Sequence, residues 1–210
     1  MVEFINVSKV YSDKIVLSEI SCKIEQGECV LIRGRSGAGK STMMRLIYMA
    51  EKPTKGVVSV LGFSSKRVSQ STLIELRKNV GYISQGYTLM GSRTVFENIS
   101  LPLKVIDEYV KERVEKILDL LELATIRAKK LNSLSASEYQ LVKIGCALVR
   151  SPKILLADEP FSNLDTEWIK RLTQLFYRLK LGGMTIVFAS SLYTLDFADK
   201  SFILNNGKII

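Results

Sequence analysis

Two glycines, a lysine and a serine in Gly34-Arg35-Ser36-Gly37-Ala38-Gly39-Lys40-Ser41 fit the spacing G-x-x-x-x-G-K-[ST]. Glycines at this spacing let the backbone curl so that successive N–H groups face inward, toward an anion. A helix that starts there adds its partial positive charge. Lys40 can then bridge the outer oxygens of a polyphosphate, and the Ser41 hydroxyl can ligate Mg²⁺. A second group of reactive side chains ends the apolar run Ile154-Leu155-Leu156-Ala157, which continues into Asp158 and Glu159. On its own, an Asp-Glu pair before Pro160 reads as a solvated strand end. Downstream of a phosphate loop, Asp158 fits the carboxylate that holds Mg²⁺ through a water, and Glu159 fits the group that orients or deprotonates an attacking water.

These groups need elements to hold them. Cys29-Val30-Leu31-Ile32 is an apolar strand that runs into the loop, and residues 40–50 read as the helix after it. Residues 2–7 and 15–32 read as short strands, with Glu25-Gln26-Gly27-Glu28 as a hairpin turn. Further strands are expected at 57–61 and 80–83. Val110, Val114, Ile117, Leu118 and Leu121 recur at helical spacing, which predicts an amphipathic helix over about 108–122. Helices are also expected at about 137–150 and 166–180. The runs 154–157 and 185–189 are apolar throughout, the pattern of strands buried on both faces of a parallel sheet. Asn205-Asn206-Gly207 reads as a hairpin turn. Strands that alternate with helices predict an α/β fold with a mostly parallel core sheet.

Composition removes several alternatives. The 210 residues contain no histidine, so a His-ligated metal, a Ser/His/Asp triad and a Cys/His dyad are all excluded. Cys22, Cys29 and Cys146 show no C-x-x-C spacing and read as reduced core residues. The N-terminus alternates like a strand and is not expected to be a signal peptide, and no apolar stretch is long enough for a transmembrane helix. With 30 Lys+Arg against 21 Asp+Glu the net charge is +9, which permits nucleotide, nucleic acid or an anionic membrane face as partner.

With the loop and the acidic strand end in place, the whole chain resembles the ATP-binding subunits of ABC transporters. The resemblance implies a P-loop NTPase of the ABC nucleotide-binding type. It would have a parallel RecA-like core (about 29–50 and 150–200), an antiparallel β lobe (about 1–28 and 51–85) and a helical lobe (about 86–149). It implies ATP and Mg²⁺ as ligands, with Gly34, Arg35, Ser36, Gly37, Ala38, Gly39, Lys40, Ser41 and Thr42 around the phosphates. It also implies Tyr11 as the ring stacked on adenine, Gln85 as the Q-loop residue that reaches the metal, and Ser162-Asn163-Leu164-Asp165 as the D-loop facing a second copy. Ser41, Gln85 and Asp158 are the implied metal group.

Within the family, Leu76 to Gln85 and Gly91 to Val105 are similar to the cell-division branch, the FtsE family. That likeness implies an FtsX-like integral membrane subunit as partner and a peripheral place on the cytoplasmic face of the inner membrane. It implies an ATP-dependent homodimer and a role in switching on cell-wall hydrolases, with no nucleic-acid partner. A lipoprotein- or macrolide-type exporter ATPase is the alternative. The segment just after Gln85 is expected to receive a cytoplasmic helix of the partner.

Two departures from the family pattern bear on activity. The signature Leu-Ser-Gly-Gly-Gln stands here as Leu134-Ser135-Ala136-Ser137-Glu138, with Ser135 and Ser137 expected to reach the nucleotide of the opposite subunit. Ser191 occupies the position where most relatives carry a histidine beside the catalytic Glu159. The expectation is therefore a chain that binds MgATP and turns it over slowly.

Overall fold

The computed structural model describes residues 1–84, 86, 88–104 and 110–210. In chain order the strands are β1 (Val2–Tyr11), β2 (Lys14–Ile24), β3 (Cys29–Arg33), β4 (Lys55–Val60), β5 (Phe63–Ser64), β6 (Val80–Ile83), β7 (Ile154–Asp158), β8 (Thr185–Ser190), β9 (Lys200–Asn205) and β10 (Lys208–Ile209). The α-helices are α1 (Lys40–Ile47), α2 (Gln70–Lys78), α3 (Val95–Lys104), α4 (Val110–Leu120), α5 (Ala136–Leu148) and α6 (Thr166–Leu181).

One sheet has six strands in the order β10-β9-β3-β8-β7-β6, parallel from β9 to β6, with β10 folded back antiparallel on β9. A second sheet has four antiparallel strands in the order β2-β1-β4-β5. The six-stranded sheet is the middle of three layers, and its strands show why. Cys29, Leu31, Leu155, Ala157, Ile186 and Phe188 point into a cluster with residues of α3, α4, α5 and α6. Their neighbours Val30, Ile32, Ile154, Leu156, Val187 and Ala189 point the other way, onto α1 and the antiparallel sheet. Because strand side chains alternate, burial on both faces requires an unbroken apolar run.

Two expectations change. The turn at Glu25–Glu28 forms, with Glu28 N–H donating to Glu25 O at 3.4 Å, but it is no hairpin. It carries the chain from β2 in one sheet to β3 in the other. The strand at Val80–Ile83 does not belong to the antiparallel lobe either. It is the edge of the parallel sheet, paired with β7. Gly81 permits this, because a Cβ there would stand 2.4 Å from the Ala147 carbonyl of α5. Helix α2 was not anticipated, while α3 falls within the lobe expected to be helical. α2 buries only Leu76 and takes its start from Ser69, whose side chain accepts from Thr72 N–H at 3.1 Å. Among the described residues no helix is long and apolar enough to cross a membrane.

Candidate functional site

The carboxyl ends of β3, β7 and β8 lie side by side, where open parallel sheets receive ligands. The loop after β3 leads into α1. Gly34 is pressed against the β9–β10 hairpin, and a Cβ at this position would lie 2.4 Å from Leu204 O. Gly39 opens α1 in the left-handed region at φ 107°, a conformation that glycine adopts without strain. Lys40 is nearly buried, and its ammonium curls back over the loop. It donates to Gly34 O at 2.8 Å and Arg35 O at 3.2 Å, and lies 3.5 Å from Glu159 Oε1.

Asp158, at the tip of β7, is 3% exposed, and its Oδ1 has no hydrogen-bond partner. Burial pushes its carboxyl up from the ordinary value, while a hydrogen bond from the Ser41 side chain pulls the other way. An orphaned buried carboxylate oxygen beside a serine hydroxyl is a donor set that suits a hydrated divalent cation. Glu159 follows at φ 49° and donates its N–H to Ala189 O at 2.9 Å. Its Oε1 accepts both from Ser191 N–H and from Ser191 Oγ, each at 2.8 Å.

A cavity of about 620 Å³ joins the loop to Glu159 and Ser191, lined by Tyr11, Lys40, Ser41, Glu159, Ser162 and Ser191. Tyr11 is drawn to its wall by a polar cluster that the sequence did not reveal. Its hydroxyl donates to Glu51, which also takes Arg45 Nε at 2.6 Å and Lys9 Nζ at 3.1 Å. Burial works against the Glu51 charge, but hydrogen bonds from Tyr11, Lys9 and Arg45 hold its carboxyl below the usual range. Arg45 also donates to Thr42 Oγ1 at 3.1 Å, which ties the cluster to the phosphate loop. The Lys9 ammonium stands 4.8 Å over the Tyr11 ring, so one face of that ring already carries a cation.

Ser135 and Ser137 do not line this cavity. Ser135 caps α5, accepting from Glu138 N–H at 3.2 Å while Glu138 Oε2 accepts from Ser135 N–H at 2.7 Å. This is a complete capping box. Ser137 Oγ donates to Asn163 O at 3.1 Å, inside its own chain. One turn along, Gln140 Nε2 donates to Pro160 O at 2.9 Å. Gln85 lies outside the described residues. Its neighbours Ser84 and Gly86 border a second cavity of about 590 Å³ with Arg77, Tyr82 and Asp158.

The sequence pattern of the family described as ABC transporter matches residues 17–162. The chain belongs to the ABC transporter family. Its ATP-binding cassette matches a solved relative, the ATP-binding cassette MJ0796 in a dimeric, post-hydrolysis state bound to ADP and Pi. The TM-score is 0.93 at 30% identity, covering 100% of this chain and 96% of that one. It is similar to the cell division ATP-binding protein FtsE of Streptococcus pneumoniae serotype 2 (strain D39), 35% identical over 100% of this cassette and 94% of FtsE. It is also similar to the methionine import ATP-binding protein MetN of Legionella pneumophila (strain Paris). There the identity is 37% over 89% of this cassette, and the match spans 56% of MetN. It is an ABC ATP-binding subunit, and its Lys40 loop has the G-x-x-x-x-G-K-[ST] spacing of a phosphate loop.

Proposed function

We propose that this subunit couples ATP binding, and slow hydrolysis, to an FtsX-like integral membrane partner that activates cell-wall hydrolases in cell division. The support for this role is the likeness to FtsE, which runs over 94% of that protein at 35% identity. Two copies would sandwich two ATP molecules head to tail at the cytoplasmic face of the inner membrane, each presenting Ser135 to the other's nucleotide.

The chemistry follows from the side chains. Lys40 releases Gly34 O and Arg35 O and turns its ammonium to the outer phosphate oxygens. The loop N–H groups and the start of α1 share that charge. Tyr11 meets the adenine on the ring face that Lys9 leaves open. Ser41 and Asp158 would hold Mg²⁺, together with Gln85, and the metal would supply neutralisation of phosphate charge. Glu159 orients the attacking water and accepts its proton. Ser191 keeps Glu159 aimed through two hydrogen bonds, but its hydroxyl is neutral. Losing one charge-stabilising donor costs roughly two to three decades in rate, and the slow turnover rests on that loss.

The test is co-expression with a four-span membrane subunit of FtsX type. Stable co-purification and an ATPase that rises in the complex support the division role. A second reading, an importer ATPase, is favoured by MetN of Latilactobacillus sakei, 41% identical over 89% of this chain. An ATPase driven by a transported solute, with a MetN-type or exporter-type partner and no affinity for the FtsX-type subunit, would replace the first reading by a transport one.

A further inference from the structure

α1 leaves the phosphate loop at Lys40, and the chain just past its other end carries Glu51. Three donors converge on the Glu51 carboxylate. The Tyr11 hydroxyl donates to Oε2, the Lys9 ammonium lies 3.1 Å from the same oxygen, and Arg45 Nε donates to Oε1 at 2.6 Å. Glu51 therefore holds both the hydroxyl of the Tyr11 ring and the cation that stands 4.8 Å over one face of it. The segment that carries Glu51 is itself fixed. Ala50 N–H donates to Arg45 O at 2.9 Å, Thr54 N–H donates to Ser8 O at 2.8 Å, and Thr54 Oγ1 accepts from Val10 N–H at 3.0 Å. Tyr11, Thr42 and Arg45 line the cavity that contains the phosphate loop, whereas Glu51 stands outside its lining. Arg45 Nη2 donates to Thr42 Oγ1 at 3.1 Å, in the first turn of α1. One carboxylate thus ties the ring on β1 to the helix that starts in the loop.

We propose that Glu51 is a positioning residue for the base of the nucleotide: it sets the Tyr11 ring in its stacking orientation before ATP arrives. The inference rests on the reading above in which Tyr11 meets adenine. Holding a side chain in place beforehand spares the loss of its rotamer freedom on binding, worth about two- to tenfold in affinity. A ligand made of phosphates alone does not meet the ring and gains nothing from Glu51 in this way. The contribution of Glu51 is therefore a preference for ATP over inorganic triphosphate.

The readout is the ratio of the triphosphate Kd to the ATP Kd, both measured with Mg²⁺ by titration calorimetry on the purified chain. Glu51→Gln leaves a single amide acceptor for three donors and should lower the ratio about threefold. Tyr11→Phe keeps the ring, removes the hydroxyl that Glu51 holds, and should lower it by a similar factor. The double variant should fall no further than the single ones. Tyr11→Ala removes the ring and should lower the ratio at least about fivefold, the worth of base stacking. Glu51→Gln also frees two cations, but these attract ATP and triphosphate alike, so that effect cancels in the ratio. A purely structural loss likewise moves both Kd values together. If thermal melting shows Glu51→Gln unfolded, Tyr11→Phe carries the test by itself. A ratio that falls in Tyr11→Ala but is unchanged in Glu51→Gln and Tyr11→Phe overturns the Glu51 assignment alone. Losses that add in the double variant overturn it too, because Glu51 would then act apart from the Tyr11 hydroxyl. An unchanged ratio in Tyr11→Ala overturns the stacking reading and the assignment with it.

Discussion

Ser191 grips Glu159 with both of its donors, the backbone N–H and the hydroxyl, on the same carboxylate oxygen at 2.8 Å. The pairing of β8 with β7, which sets Asp158 opposite Ala189, delivers Ser191 to this contact. The position can therefore aim the carboxylate without an imidazole, but it cannot charge.

Two substitutions separate these tasks. Ser191→Ala keeps the N–H donor and should lower the ATPase rate only about two- to fivefold, the worth of one neutral hydrogen bond. Ser191→His introduces a group that can carry charge and should raise the rate about tenfold or more. Steady-state phosphate release measures both. A histidine variant no faster than wild type would count against the slow-turnover account.

Glu159→Gln keeps the shape of the side chain and removes the base. Turnover should fall by at least about a hundredfold, with ATP affinity within a few-fold of wild type. Nucleotide titration beside the ATPase assay checks this, and an ATP-dependent increase in mass on size exclusion would report the trapped dimer.

Gly34→Ala tests the loop's seat on the β9–β10 hairpin. The new Cβ meets backbone at Leu204 O, 2.4 Å away, and not the movable end of a side chain. Overpacking of this kind costs about 1–3 kcal/mol. In a chain of this size each kcal/mol lowers Tm by about 2–4 °C. Calorimetry reads the loss, and ATP affinity should fall with it.

The Ser135–Glu138 capping box carries a pH signature. The backbone N–H of Ser135 holds the Glu138 carboxyl below the usual carboxylate range, against a smaller opposing effect of burial. A carboxylate lowered in the folded state stabilises above its unfolded pKa, about 4.3, and that gain is lost as pH falls through the folded value. Glu138→Ala should therefore cost about 0.5–2 kcal/mol at neutral pH. The gap in Tm between variant and wild type should close as pH drops below about 4.

The cysteines should be inert in the native chain. Burial pushes the Cys22 thiol up to about 11, and those of Cys29 and Cys146 up to about 12. At pH 8 very little thiolate exists, so alkylation by iodoacetamide should be slow until denaturant is added. Mass spectrometry of labelled chain counts the modified sites.

The phosphate loop and the Asp158-Glu159 strand end were legible in the sequence because their chemistry depends on residue type at fixed spacing. The apolar runs of β3, β7 and β8 were legible because burial on both faces leaves no polar position. The sheet to which Val80–Ile83 belongs was hidden, since the choice is made by the close approach of α5 at Gly81 and not by the strand itself. The anchoring of Tyr11 by Glu51, Arg45 and Lys9 was hidden for a similar reason. These residues are joined only when β1 and the segment after α1 fold together. Ser137 is expected to face a neighbour's nucleotide, and within its own chain its hydroxyl donates to Asn163 O, a contact between α5 and the segment after β7 that the motif does not reveal.

The strand that feeds the phosphate loop, β3, is flanked in the sheet by β8 and β9, both made far later in the chain. The loop's Gly34 rests on Leu204, and Ser18 N–H donates to Gly207 O at 2.8 Å. During synthesis the loop after β3 therefore waits, without a wall behind it, for the later hairpin that completes it. Contacts so distant in sequence form slowly. The seat of the loop is thus completed late, only after β9 and β10 have joined the sheet.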